Sequence, residues 1–428
     1  MKACSKRALA LFAALACILT GAAAAFAQTP AEACSAVLVH LTANVPAPVV
    51  NSVGGEWAVL ALARGNAAVP SGYYDGYVSR VKQTLRSNGG VLPSSSTRKT
   101  EYSRVVIALS ALGEDAANFD GRSLLLPLAN FGDVTAQGIN GAIYALIAFD
   151  TRDWEIPAIA DSAQQVTRQR LIEFILNREL GGGGFTQAGT AVSAEITAMV
   201  LQAFAPYQSD AAIQAATGRA LAALSNMQLE NGGFGHDTEG ETSESAAQVV
   251  AALASLGIDP AADTRFAKPG GNPLTALLKF QKPNGSFDHG AAGTGNTQMA
   301  AEQAACALAA YDRFQNGKTA LYDMSDVTPK TQLDAAKADR IAAVRAVTDG
   351  LRQADYTAES WSALQAAITN AIAAVYAAAS IDAVNAVAIP TIGGLVLRPQ
   401  PKWWESPPLP AFLHLILRVL FFGWIWMR

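Results

Sequence analysis

A glycine-bearing turn followed by an apolar ring recurs along this chain, and a chain built on one repeated unit has few ways to fold. Residues 227–257, "MQLENGGFGHDTEGETSESAAQVVAALASLG", are echoed by residues 280–313, "FQKPNGSFDHGAAGTGNTQMAAEQAACALAAYDR". Aligned on the aromatic after the glycines, Phe185, Phe234 and Phe287 are 49 and 53 residues apart. "LRSNGGVL" places Leu92 about two such periods earlier, "QGINGAIYALIAFD" (137–150) fills the gap, and "VGGEWAVLALARG" (53–65) opens the series. Six such turns result.

Each turn lies between two helical patterns. The preceding helices are expected at 31–44, 73–87, 121–131, 167–179, 210–228 and 272–281. The following ones are expected near 56–64, 100–112, 142–149, 193–205, 242–256 and 298–312. Apolar residues recur at helical spacing, as in Leu171, Phe174 and Ile175, with no sustained alternation of period two. The following helices are rich in alanine and suit an interior position, and the preceding ones carry more charge and suit an outer ring. Six outer–inner hairpins that close on themselves bury every inner helix without capping repeats. The expectation is an all-α fold, an (α/α)6 toroid of six helical hairpins over residues 28–328.

The flanks have a different texture. "MKACSKR", an apolar run and Ala25-Phe26-Ala27 read as an export signal over residues 1–27. Of four cysteines, Cys34 and Cys306 lie outside it; a disulfide between them is permitted, and two buried thiols are the other reading. Residues 331–390 return to helical periodicity, with Thr357 as an N-cap and Trp361, Leu364 and Ile368 as an apolar stripe. A Pro- and Trp-rich spacer (391–408) follows, then "LPAFLHLILRVLFFGWIWM" before the terminal Arg428. That last stretch (409–428) reads as a membrane anchor or interfacial helix. Trp residues flank it, and Arg418 adds ~2.5–3.5 kcal/mol to the insertion cost. The formal net charge of −4, with no basic run, argues against nucleic acid as a partner.

The repeat residues themselves read as structural. Gln228, Gly232 and Phe234, and likewise Gln281, Gly285 and Phe287, supply a helix-end amide, a positive-φ turn and a packing ring. Glu179–Phe185 and Arg86–Leu92 keep the register with other residues. A second recurrence concerns ligands: Glu56, Glu101, Glu195, Glu244 and Glu302 each fall near the first turn of an inner helix, and Tyr144 lies near the start of the sixth. Carboxylates favour helix N-termini through the macrodipole. Gathered at one mouth of a toroid with Trp57, Tyr102 and Tyr144, they also suit a sugar or a cation, with Gln248 one turn beyond Glu244 on the same face. Both readings stand together.

Q-x-x-x-G-x-F at Gln228–Phe234 and Gln281–Phe287 resembles the Q-x-x-x-G-x-W motif of the squalene–hopene cyclase and prenyltransferase toroid superfamily. "RVVIALSALGEDAANFDG", "QGINGAIYALIAFD" and "AAYDRFQNGKTALYDM" resemble exported bacterial proteins with prenyltransferase/squalene-oxidase-type repeats, themselves similar to the helical domain of transcobalamins. "DYTAESWSALQAAITNA" is similar to FIVAR modules, small helical bundles of bacterial surface proteins. The superfamily's cyclases use a D-x-D-D acid cluster, which this chain lacks. Its protein prenyltransferases use zinc, but Asp288, His289, Cys306 and Asp312 do not make a convincing set, so no metal or cofactor is implied. The expected function is an exported, membrane-attached surface protein that holds a small molecule or glycan in the toroid without catalysis. A terpenoid-cyclase-like or polysaccharide-acting enzyme is the first alternative, and corrinoid binding the second.

Overall fold

The computed structural model describes residues 28–399 apart from 94–97, 237–239, 291–292 and 294. The expected export signal (1–27) and the expected membrane anchor (409–428) therefore lie outside the described residues. The fold is all-α, with one two-residue antiparallel hairpin, β1 (Gly235–His236) and β2 (Gly240–Glu241). The chain divides into two compact units after Lys330.

In the first unit, six helices follow the glycine turns: α2 (Trp57–Arg64), α4 (Thr100–Ala111), α6 (Ile139–Asp150), α8 (Ala194–Phe204), α10 (Ser243–Ser255) and α12 (Thr297–Gln315). Each contacts the next in that order, and α12 contacts α2 in turn, so the circuit of contacts closes. Their residues are buried nearly all round, as the alanine content allows: Ala300, Ala301, Ala304 and Ala305 of α12 are fully buried. The helices before the turns are α1 (Pro30–Asn44), α3 (Tyr73–Ser87), α5 (Phe131–Thr135), α7 (Arg168–Leu176), α9 (Ala211–Met227) and α11 (Pro273–Leu278). Five of these six start at a side-chain cap, α3 being the exception with Gly72 before it. Thr29 and Glu32 form a capping box ahead of Pro30, and Asp210 accepts from the amides of Ala212 and Ile213.

The third outer helix departs from expectation. Residues 121–131 form a 3-10 turn (Leu126–Leu128) instead of a helix, and only the short α5 follows. Pro127 lacks the amide that a helix interior needs, and Asp120 and Gly121 both take positive φ. Leu124, Leu125 and Leu128 are still buried, so the apolar run fills its place in the core without helical geometry. Outside it, Phe131 packs edge-on to Phe174, with Arg170 over the first ring and Arg178 over the second.

In the four copies that keep its register, the repeat motif joins a hairpin to the next outer segment. Gln228 donates to the carbonyls of Gly232 (2.9 Å) and Phe266 (3.0 Å). Gln281 donates to the carbonyl of Ala33 in α1 at 2.9 Å, tying the last turn to the first helix. In the two divergent copies an ion pair takes over this role, with Glu179 binding Arg219 of α9 and Arg86 binding Asp120. The glycines are required where backbones meet. Gly285 has φ +83°, and a Cβ there falls 2.4 Å from the Ala36 carbonyl oxygen. Phe185, Phe234 and Phe287 are fully buried.

The second unit holds α13 (Lys330–Ala346), α14 (Ala358–Ala377) and the short α15 (Ile381–Ala386). Thr357 caps α14, Leu364 and Ile368 are buried beside Val344, and Trp361 stacks on Tyr356. The beginning of the expected spacer is tied back to this unit: the Val396 carbonyl accepts from the Thr357 amide, and the Arg398 amide donates to the carbonyl of Asp355. Among the described residues no helix is long and apolar enough to cross a membrane.

Candidate functional site

Hydrogen bonds link the N-terminal ends of the six inner helices all the way round. Glu56 accepts from Arg104, the Thr100 amide donates to Gln137, and Gln187 donates to the carbonyl of Gln137. Ser245 donates to Glu195, the Ser243 amide donates to the carbonyl of His289, and the Gly54 amide donates to Glu302. The opposite ends are linked as well: Thr151 donates to Ser110, Tyr207 to Asp150, and Arg313 to the carbonyl of Arg64. The inner helices thus run in the same direction, with their N-termini at one end and their C-termini at the other.

At the N-terminal end the caps are Ser193, Thr242 and Asn296, each accepting from an amide one turn on. Glu56, Glu195, Glu244 and Glu302 bridge to neighbouring repeats instead. Glu56 is buried between the Asn51 amide (3.0 Å) and Arg104 (3.2 Å), and burial pushes its carboxyl up to about 8 against the pull of the guanidinium. Glu302 is fully buried; its Oε1 accepts from Gly54 and Gln298, while its Oε2 has no hydrogen-bond partner among the described residues. Burial raises it to about 7. Glu244 accepts from Ser243 and lies 2.9 Å from His289 Nδ1. Glu101 is buried in the first turn of α4. Glu195 lines a cavity of about 190 Å³ with Ser193, Gly235 and Ser245.

Of the predicted aromatics, Tyr102 and Tyr144 are buried, and Trp57 and Gln248 are half-buried. Trp57 and Tyr144 pack at 5.5 Å between ring centres, and the Tyr102 hydroxyl accepts from the amide of Leu92. Gln248 accepts from Gln202 and donates to Gln303, a polar ladder across α8, α10 and α12. Cys34 and Cys306 are free and buried. Among the described residues no group of three or more His, Cys, Asp or Glu is placed to hold a metal. Of the zinc candidates, Asp288 pairs with Lys282, His289 faces Glu244, and the Cys306 thiol faces the carbonyl of Trp57.

The larger cavity is at the other end. About 520 Å³ in volume, it opens where α6, α8 and α10 finish, and its walls include Asp150, Arg168, Gln202, Tyr207, Tyr322 and Asp323. Asp150 accepts from Arg168 Nε through Oδ1 and from the Tyr207 hydroxyl through Oδ2, both at 2.7 Å. Burial raises Asp150 above the usual carboxylate range and, with the neighbouring carboxylate, raises the Tyr207 phenol too. Arg168 also donates to the carbonyls of Phe149 and Trp154. The wall carrying Tyr322 is held by Arg64 and Arg313. Arg64 donates to Thr319, Asp326 and the carbonyls of Ala320, Leu321 and Asp323, and Arg313 donates to Thr319 and Asp326.

The ligand candidates legible in the sequence lie at the N-terminal end, and Asp150, Arg168, Tyr207 and Tyr322 are not among them. One signal was available. α6 ends in an acid and α7 begins "RQR", both against the macrodipole preference, and such reversals are expected where function overrides local stability. No known family model matches the chain, and no characterised protein matches it.

Proposed function

We propose that this is an exported, membrane-attached surface protein, without catalysis, whose first unit binds a small polar molecule or glycan. Residues 1–27 direct export and 409–428 attach the chain, the closed helix circuit is an (α/α)6 toroid, and 331–390 is a FIVAR-like module. The cavity of about 520 Å³ at the C-terminal ends of the inner helices carries the reading. Its volume falls in the range of small-molecule sites, and its walls mix aromatic rings with a few fixed polar groups, as orientation and specificity require. Asp150, Arg168 and Tyr207 hold one another rigid, which lowers the ordering cost of binding.

The test is a calorimetric screen of the full chain against cell-wall and mucin glycans, corrinoids and isoprenoid diphosphates, repeated with Tyr322→Ala. Binding by one class, weakened about tenfold by the variant, supports the site. Binding that Tyr322→Ala and Asp150→Asn both leave untouched places the ligand elsewhere, and turnover of a bound glycan replaces the binding reading with an enzymatic one.

A further inference from the structure

Resting on that reading of the cavity, we infer that the cavity selects ligands carrying a protonated amine: an amino sugar with a free amine, or another small organic ammonium.

Three observations converge. The helices α6, α8 and α10 all direct their C-termini at the cavity, whose lining includes Asp150, Ala203 with Ala205, and Ser255. Each helix brings roughly half a negative charge to that end. The ionisable side chains of the wall then add to this field instead of offsetting it: Asp150, Asp153 and Asp323 against Arg168 alone. Finally, the available cations are already committed. Arg168 Nε is held by Asp150 and its Nη2 by Asp153 and two carbonyls, while Arg64 and Arg313 are spent on Asp326 and the 319–323 backbone. Among the described wall residues an anionic ligand meets a single guanidinium, Arg168, already paired with two carboxylates, and it faces three helix C-termini.

Two acids keep a carboxylate oxygen for a ligand: among the described residues Asp153 pairs with Arg168 through Oδ1 alone, and Asp323 forms no ion pair. The Asp153 side chain is 96% exposed, and Asp323 is exposed at the rim, where its Oδ1 accepts from the Ser325 amide. Tyr207 and Tyr322 supply aromatic surface, which attracts ammonium groups through the ring quadrupole and also suits the flat faces of sugars. The N-terminal end contrasts with this. There the acids lie at the positive ends of the helices and are engaged by neighbouring repeats.

The experiment is isothermal titration of the full chain, at about pH 6, with a glucosamine oligomer, its N-acetylated counterpart, spermidine and an isoprenoid diphosphate. The free-amine oligomer is expected to bind about tenfold tighter than the acetylated one, and the preference to shrink as salt rises. Asp153→Asn combined with Asp323→Asn is expected to remove the preference while leaving the melting temperature unchanged, since both side chains are exposed. Spermidine competing with the oligomer shows that the ammonium alone suffices; spermidine failing to compete shows that the sugar rings contribute too. Equal binding of the free and acetylated oligomers overturns the charge inference and leaves the binding reading intact. Tighter binding of the diphosphate does the same. Binding by none of the four overturns the inference, and binding by none of the wider glycan and corrinoid screen overturns the reading beneath it.

Discussion

The Glu302 carboxylate accepts a hydrogen bond at 2.8 Å from the backbone amide of Gly54, 248 residues earlier in the chain. This bond joins the last inner helix to the turn before the first, so one acid sits at the seam of the whole circuit. Gly54 has φ +73° and belongs to an irregular turn over Ser52–Glu56, whose other end is gripped by Glu56 through the Asn51 amide. Two buried carboxyls therefore fasten one short turn from opposite sides.

The first prediction concerns pH. Glu302 has its carboxyl raised by burial from 4.5 to about 7, so the folded state holds that proton more firmly than the unfolded state. Its contribution to stability is fully present below pH 4.5 and is lost as pH rises through about 7. Glu56 acts in the same direction up to about 8. Glu302→Gln keeps an acceptor for Gly54 and cannot ionise. Urea midpoints measured across this range should fall less steeply for the variant than for the wild type, and equal slopes would show that Glu302 is already ionised when folded.

A second prediction separates the motif from the cavity. Gln228→Ala leaves the buried carbonyls of Gly232 and Phe266 without their donor and is expected to destabilise by about 1–3 kcal/mol. Gly232→Ala is expected to destabilise more, because φ is +89° and the new Cβ falls 2.6 Å from the Asn272 amide nitrogen. Urea unfolding measures both. Ligand affinity at the distant cavity should be unchanged in Gln228→Ala, and a loss there would mean that the motif also shapes the site.

Arg64 offers a third. Buried at the end of α2, it donates to five groups between Thr319 and Asp326. Arg64→Ala leaves the Leu321 carbonyl without its donor and removes one of Asp326's two partners, while the Ala320 and Asp323 carbonyls keep the Asp323 amide and the Thr319 hydroxyl, at a cost of about 1–3 kcal/mol. Because this segment carries Tyr322 and Asp323, the variant should lose stability and ligand affinity together. Differential scanning calorimetry beside titration reads both, and a variant that loses stability alone would show that the wall holds its shape without Arg64.

The cysteines give a fourth. Burial pushes the Cys34 thiol up to about 12 and raises Cys306 as well, and neither is paired. Since the thiolate is the reactive form, both should resist iodoacetamide in the native protein and react on unfolding. Peptide mass spectrometry after labelling decides this; rapid native labelling of Cys306 would contradict the packing of α12.

Much of this fold could be read locally. The outer helix 73–87 begins and ends where its periodicity says, and the inner helices fall within a few residues of expectation, because amphipathic spacing, alanine content and cap residues act over a turn or two of chain. Pro127 carried the warning against a helix at 121–131, and the apolar run around it masked that signal. Glu179 and Arg86 looked like decayed copies of the motif glutamine, yet each ties its hairpin to the next outer segment by an ion pair, a partner that only three dimensions supply.

By itself the sequence determined the repeated unit: glycines where the chain must turn with positive φ, rings to bury behind them, and acids near the start of five inner helices. These are short-range requirements, written at fixed spacing. The tertiary structure decided what the acids do and where the cavity opens. Closing the circuit brought Gly54 to Glu302 and Arg104 to Glu56, which made those two acids clasps between repeats. The same closure gathered Asp150, Arg168, Tyr207 and Tyr322 from three separate repeats around one cavity at the opposite end. Contacts between residues so far apart depend on how the helices pack around the circuit, and no local pattern encodes that.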